Sequence, residues 1–368
     1  MSVKHIAFLA LTMTRGGAER VIANLCNDYL VKHYKVSIIT CMNKPLGYSL
    51  DSRIEYTCIE KTSDIHYSNI MQKFVKRRAL LKRELERIHP DVLLCFLPEP
   101  NFLALSLKKH FRFPMIISVR NDPNREYKNL VYQAIMRYLY PKADGYVFQT
   151  HQAKDYFSFA KKIANKAKII PNPLGNEFLE VEQISEKDRK KVIANVGKLS
   201  GQKNQKVLID AFARIEKAFP DYILNIYGEG KLRQELQSQI EVLGMSQKVF
   251  LKGNVPNVSK EIQDASLFVL SSDYEGMPNA LMEALALGIP CVSTDCPCGG
   301  PEFLMKNKEN GVLVPVGDVE RLAEAMSELL QDREKAGGYG IEAMKIAELL
   351  HPDVIHKQWE DYIKEIML

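Results

Sequence analysis

The chain has 368 residues, 46% hydrophobic and 26% charged, with a net charge of +5. That length exceeds one core and suits two, and the composition excludes a long disordered segment. No run approaches the roughly 20 apolar residues that a bilayer-spanning helix needs.

The short apolar run Ile6–Leu11 meets Thr14-Arg15-Gly16-Gly17 instead of a small-residue cleavage site, so it reads as a buried strand rather than a signal peptide. Helical periodicity follows over 18–30, then a strand over 36–40 and a helix over 71–88 that places Phe74, Leu81, Leu85 and Ile88 on one face. Strands are predicted at 92–97, 115–119 and 145–149. Strands rich in Val, Ile and Leu alternating with helices predict a parallel sheet covered on both faces.

Ile169-Ile170-Pro171-Asn172-Pro173-Leu174-Gly175 breaks this rhythm, and a mixed-charge stretch follows to Lys191. The alternation then restarts: strands at 192–196, 223–227, 249–252, 267–270 and 290–294, helices at 206–218, 232–243 and 279–287. An amphipathic helix over 353–368 closes the chain. The expected division is a first Rossmann-like domain over 1–175, a second over 190–350 and a terminal segment over 351–368. Charge divides with it. Residues 1–176 carry 28 Lys and Arg against 14 Asp and Glu, net +14, and the remainder is net −9.

Seven cysteines, several in apolar strands, read as reduced, buried thiols of a cytoplasmic protein. Cys296-Pro297-Cys298 has no second cysteine or histidine cluster to complete a metal site, so no metal is expected.

Three turns carry the candidate chemistry. In Ser271–Gly288 an apolar strand ends, the chain turns at Gly276, and Pro278 stands where a first helical residue belongs. Unpaired amides and the dipole at such a helix start suit phosphate oxygens. Glu275 precedes the helix, and Glu283 lies five residues in, ~7.5 Å along the axis. In Asn195–Asn204, Lys198 and Lys203 flank a turn and suit the charge on a departing diphosphate. In Thr14–Arg20, Gly16 and Gly17 permit close backbone approach to a ligand. Taken singly, each turn has an ordinary structural reading as well.

Together these segments resemble the retaining glycosyltransferases of family 4 with the GT-B fold. Glu275 and Glu283 match the family's E-x7-E signature, and Lys198 and Lys203 its G-R-L-x-x-x-K pattern, with Lys198 in place of the usual arginine. Thr14–Arg20 is similar to its G-G-A-E turn. Gly228 falls in a G-x-G-x-L-like turn, and Val255 in a loop like the one that meets the donor base.

The resemblance implies an α/β fold of two Rossmann-like domains with a cleft between them and a C-terminal helix crossing back to the first. It implies catalytic roles for Lys198, Lys203 and Glu275. Donor contacts are implied for Gly16, Gly17, Gly228, Val255, Gly276, Met277, Pro278, Asn279, Ala280, Leu281 and Glu283. Glu19, Arg120, Asn121 and Asp122 are expected on the acceptor side, where many members carry a histidine instead of Arg120-Asn121-Asp122-Pro123. An arginine held by Asp122 is the other reading of that turn.

The implied reaction moves a hexose or N-acetylhexosamine with retention from a nucleotide-diphosphate sugar, the base being uridine by preference, without a metal. The implied acceptor is a saccharide, carried on polyprenyl diphosphate at the inner face of the cytoplasmic membrane. Lys73–His89 carries seven Lys and Arg against two Glu, which suits an anionic lipid surface. No aromatic-interleaved module points to nucleic acid. A nucleotide-sugar epimerase of the same architecture and a non-catalytic sugar-nucleotide-binding subunit are the rival readings.

Overall fold

The computed structural model describes residues 3–61, 67–179 and 184–368, so part of the mixed-charge stretch expected after Gly175 lies outside the described residues. The chain forms two compact units. One comprises Met1–Asn172 with Asp353–Leu368, the other Pro173–Pro352.

The first unit runs β1 (His5–Ala10), α1 (Gly17–Val31), β2 (Lys35–Thr40), β3 (Glu55–Cys58), α2 (Ile70–Ile88), β4 (Val92–Phe96), α3 (Pro98–Ser106) and β5 (Met115–Ser118). It continues through α4 (Pro123–Glu126), α5 (Leu130–Leu139), β6 (Gly145–Phe148), α6 (His151–Asp155), α7 (Lys161–Lys166) and β7 (Ala167–Ile169). All seven strands are parallel, in the order β3-β2-β1-β4-β5-β6-β7. β1 and β4 are buried at every position, as strands covered by helices on both faces must be. The winding reverses between β1 and β4, which opens a crevice at their carboxyl ends.

The second unit runs β8 (Lys190–Val196), α8 (Gln205–Ile215), β9 (Ile223–Tyr227), α9 (Arg233–Val242), β10 (Val249–Gly253), α10 (Val258–Ile262), β11 (Ala265–Leu270), α11 (Asn279–Ala286) and β12 (Cys291–Thr294). α12 (Gly300–Leu304), β13 (Val312–Val314), α13 (Val319–Gln331), α14 (Arg333–Met344) and α15 (Ile346–Leu349) complete it. Its six parallel strands take the order β10-β9-β8-β11-β12-β13, reversing between β8 and β11. One cluster around Leu208, Phe212, Leu224, Leu267 and Met326 fills the space between sheet and helices.

The last helix, α16 (Pro352–Met367), belongs almost wholly to the first unit, as its apolar stripe requires. Trp359 is fully buried and stacks on Phe96 at the end of β4, with ring centroids 5.8 Å apart. The Tyr362 hydroxyl accepts from the Tyr146 amide at 2.7 Å and donates to the Lys166 carbonyl. A Cβ at Gly145 would lie 2.7 Å from that hydroxyl, so a larger residue there would displace the tyrosine tip. An ion pair from Lys32 to Glu360 at 2.9 Å and a contact from His356 Nδ1 to Asp28 Oδ1 at 3.4 Å tie its outer face to α1. No helix among the described residues is long and apolar enough to cross a membrane.

The predicted strands and long helices are present. β3, β7 and β13 were not predicted: each has three or four residues and no long apolar run.

Candidate active site

In the second unit the lysine turn follows β8 and the glutamate turn follows β11, so both lie at the reversal point of that sheet. The turns are stitched across. The Asp273 amide donates to the Gln202 carbonyl at 2.8 Å, Asn204 Nδ2 to Asp273 Oδ1 at 2.7 Å, and Ser271 Oγ to the Lys203 carbonyl at 3.0 Å. This frame holds Lys203 Nζ 2.5 Å from Glu275 Oε1. Ser272 Oγ donates to the same carboxylate oxygen at 2.6 Å. Gln202 Nε2 reaches the Tyr274 carbonyl at 3.0 Å and Glu275 Oε2 at 3.4 Å. The Glu275 carboxylate is thereby oriented and nearly sealed, while Lys203 keeps part of its surface open.

Glycines bring the neighbouring turns together. Gly228, with φ +132°, sits where a Cβ would fall 2.1 Å from the Gly197 carbonyl, and its amide donates to the Gly253 carbonyl at 2.8 Å. A Cβ on Gly300 would lie 2.0 Å from the Gly276 carbonyl, so the start of α12 backs directly onto the Gly276–Pro278 turn. Val255 lies half-buried beyond Gly253, and Lys198 is exposed with no ion pair among the described residues.

Pro278 was expected as the first residue of α11. It is the N-cap, with ψ 98°, and the helix starts one residue later. The Pro278 carbonyl accepts from the amides of Leu281 and Met282 at 3.0 and 3.1 Å. The Met277 and Leu281 side chains are buried, while Asn279 and Ala280 are half-buried at the helix start. Glu283, the fifth helical residue, is buried.

In the first unit Gly16 caps α1 with extended backbone and no side-chain bond, and Gly17 opens the helix. The Tyr48 hydroxyl donates to the Gly16 carbonyl at 2.8 Å. Glu19 curls back over this turn, so that a Cβ on Gly16 would lie 2.2 Å from its carboxylate. Burial holds the Glu19 carboxyl above its usual range.

Arg120, Asn121 and Asp122 follow β5. An ion pair between Arg120 and Asp122 is not formed. Asp122 is buried and caps α4, accepting from the Asn124 amide at 3.0 Å. The Arg120 guanidinium lies over both rings of the Phe96–Trp359 stack, 5.3 and 5.2 Å from their centroids. Nη1 donates to Asn172 Oδ1 at 3.0 Å, and the same oxygen accepts from Gln149 Nε2 at 2.8 Å. Burial pushes Arg120 down to about 9, which leaves it protonated at neutral pH. A cation with no carboxylate partner among the described residues is thus held by two aromatic faces, the Asn172 amide oxygen and, at 3.4 Å, the Ile170 carbonyl.

Comparison with known proteins decides the family. Residues 15–175 match the model described as Glycosyltransferase Family 4, and residues 177–345 the model described as Glycosyl transferases group 1. The chain is a group 1, family 4 glycosyltransferase of the GT-B fold.

A Campylobacter jejuni enzyme named as an alpha-1,4-N-acetyl-D-galactosaminyltransferase acting on GalNAc-alpha-(1->4)-GalNAc-alpha-(1->3)-diNAcBac-PP-undecaprenol is 29% identical to this glycosyltransferase, over 98% of each chain. A glycosyltransferase of Methanocaldococcus jannaschii is 33% identical over 63% of this chain and 62% of its own. The Anabaena protein HepE, crystallised with UDP, superposes with a TM-score of 0.80 at 16% identity, covering 98% of this chain and 99% of its own.

Ser272 and Gln202, which fix the Glu275 carboxylate of this glycosyltransferase, were not singled out in the sequence. Nor was Glu126, whose carboxyl Oε2 is enclosed without a hydrogen-bond partner behind Asp122. Burial, with the Asp122 charge adding, pushes Glu126 up to about 8. An acid raised on folding stabilises below its unfolded value and loses that contribution as pH climbs to the folded one. Glu126 should therefore make stability fall between about pH 5 and 8, by at most ~1.4 kcal/mol per pH unit. Denaturant titrations across that range should show Glu126→Gln flattening the profile. An unchanged slope would show that Glu126 is ionised in the folded protein.

Proposed function

We propose that this glycosyltransferase moves a hexose or N-acetylhexosamine from a UDP-linked donor onto a saccharide carried on polyprenyl diphosphate, with retention of configuration and without a metal. The observation that carries this reading is the Lys203–Glu275 pair, held at the reversal point of the second sheet beside the start of α11. The amides of that helix start suit the donor diphosphate. Lys203, with exposed Lys198, suits the charge that grows there as the bond from the anomeric carbon to the diphosphate breaks. On this reading Glu275 accepts hydroxyls of the sugar and Glu283 contacts the ribose. The acceptor hydroxyl then bonds to the anomeric carbon and gives its proton to the departing phosphate. The undecaprenol-linked substrate of the Campylobacter relative supports the acceptor class, and UDP in the Anabaena protein supports the base.

The net +14 of residues 1–176 suits attachment at the inner, anionic face of the cytoplasmic membrane. Nucleotide sugars should be screened for thermal stabilisation, and the best donor incubated with lipid-linked saccharides for mass analysis of products. A glycosylated lipid is expected. A free or epimerised sugar formed without acceptor would favour the epimerase reading. Binding with no product from either reaction would favour the non-catalytic subunit.

A further inference from the structure

The first unit presents an apolar groove of about 410 Å³ between the start of α2 and the length of α5. Ile70 and Met71 on one lip are 70% and 67% exposed, and Val131 and Tyr138 on the other are 64% and 69% exposed. Phe102 and Leu139 lie at the bottom, nearly closed to solvent. Apart from the hydroxyls of Tyr132 and Tyr138, the polar lining is Lys73, Glu99 and Ser106, and Lys73 is paired with Glu99 at 3.1 Å. So much contiguous exposed apolar surface marks a site of contact.

The groove is built on elements that leave the carboxyl edge of the sheet. Glu99 and Phe102 stand on α3, which leaves the end of β4, and α5 follows the Arg120–Asp122 turn. The Phe102 ring lies 6.3 Å from that of Tyr127, the residue after Glu126.

From this geometry we infer that the groove receives the isoprenoid hydrocarbon chain of the lipid-linked acceptor; the inference rests on the acceptor reading above. A saccharide or a nucleotide needs converging donors and acceptors, and this lining supplies almost none. A bilayer surface could press on the lips but not reach Phe102 and Leu139 at the bottom. A single chain fills the groove to its floor and continues toward the sheet edge. Beside it Lys76, Arg78 and Arg83 of α2, in no ion pair among the described residues, offer cations to the diphosphate at the head of that chain.

Photo-cross-linking tests this without turnover. A diazirine-bearing isoprenyl diphosphate in detergent should label peptides from the start of α2 and from α5. Val131→Asp with Met71→Asp should lower that labelling about tenfold while leaving thermal stabilisation by the nucleotide sugar intact. Labels elsewhere, or scattered over the surface, would overturn the inference. So would labelling that requires anionic phospholipid vesicles and falls on the cationic face of α2, since that is a bilayer contact. If the groove is labelled but no nucleotide sugar stabilises the wild type, the donor assignment fails and the groove stands.

Discussion

Lys203→Ala is expected to lower turnover at least ~100-fold, the scale on which a preorganised electrostatic stabiliser acts. In the folded protein Lys203 meets Glu275 Oε1 at 2.5 Å, so the substitution removes the cation proposed to face the leaving group and takes the cation from a buried carboxylate. Glu275→Ala should cost as much, because Ser272, Gln202 and Lys203 all converge on that one carboxylate. Initial rates with the donor from the nucleotide-sugar screen, beside circular dichroism to establish folding, decide the matter. Near-normal rates in both folded variants would remove the site from this turn.

Trp359→Ala is the second large effect, and it acts on stability. Deleting a fully buried tryptophan costs about 3–5 kcal/mol. Here the cavity would open beneath the Phe96 stack and strip one aromatic face from the buried Arg120 cation. The first unit should lose that much in chemical denaturation followed by circular dichroism, with proteolysis releasing the terminal segment. Trp359→Phe keeps an aromatic face on both neighbours and should recover much of the loss. A loss under 1 kcal/mol for the alanine variant would show that α16 is only loosely seated.

The two sheets were legible because central strands such as β1, β4, β11 and β12 are fully buried and read as unbroken apolar runs between helical stretches. Three of the four edge strands were not: the four residues at Glu55–Cys58 and the three each at Ala167–Ile169 and Val312–Val314 carry too little pattern to stand out. The lysine and glutamate turns were legible as separate motifs, since each joins strand to helix with its own spacing. Their contact was not, because Lys203 and Glu275 are 72 residues apart and meet only where sheet order places β8 beside β11. The same holds for Arg120. Asp122, two residues on, was the natural partner, yet the guanidinium turns to Trp359 near the other end of the chain. Side chains that serve other side chains, such as Ser272 and Gln202, leave no signature of their own.

Trp359 is the chain's one tryptophan, and it lies in the first compact unit. Intrinsic fluorescence excited at the indole band therefore watches half of the molecule. Melting confined to the second unit would pass unseen in that channel, while release of the last helix would dominate it. A mismatch between the emission transition and the loss of helical signal would resolve the two units' unfolding without any added dye.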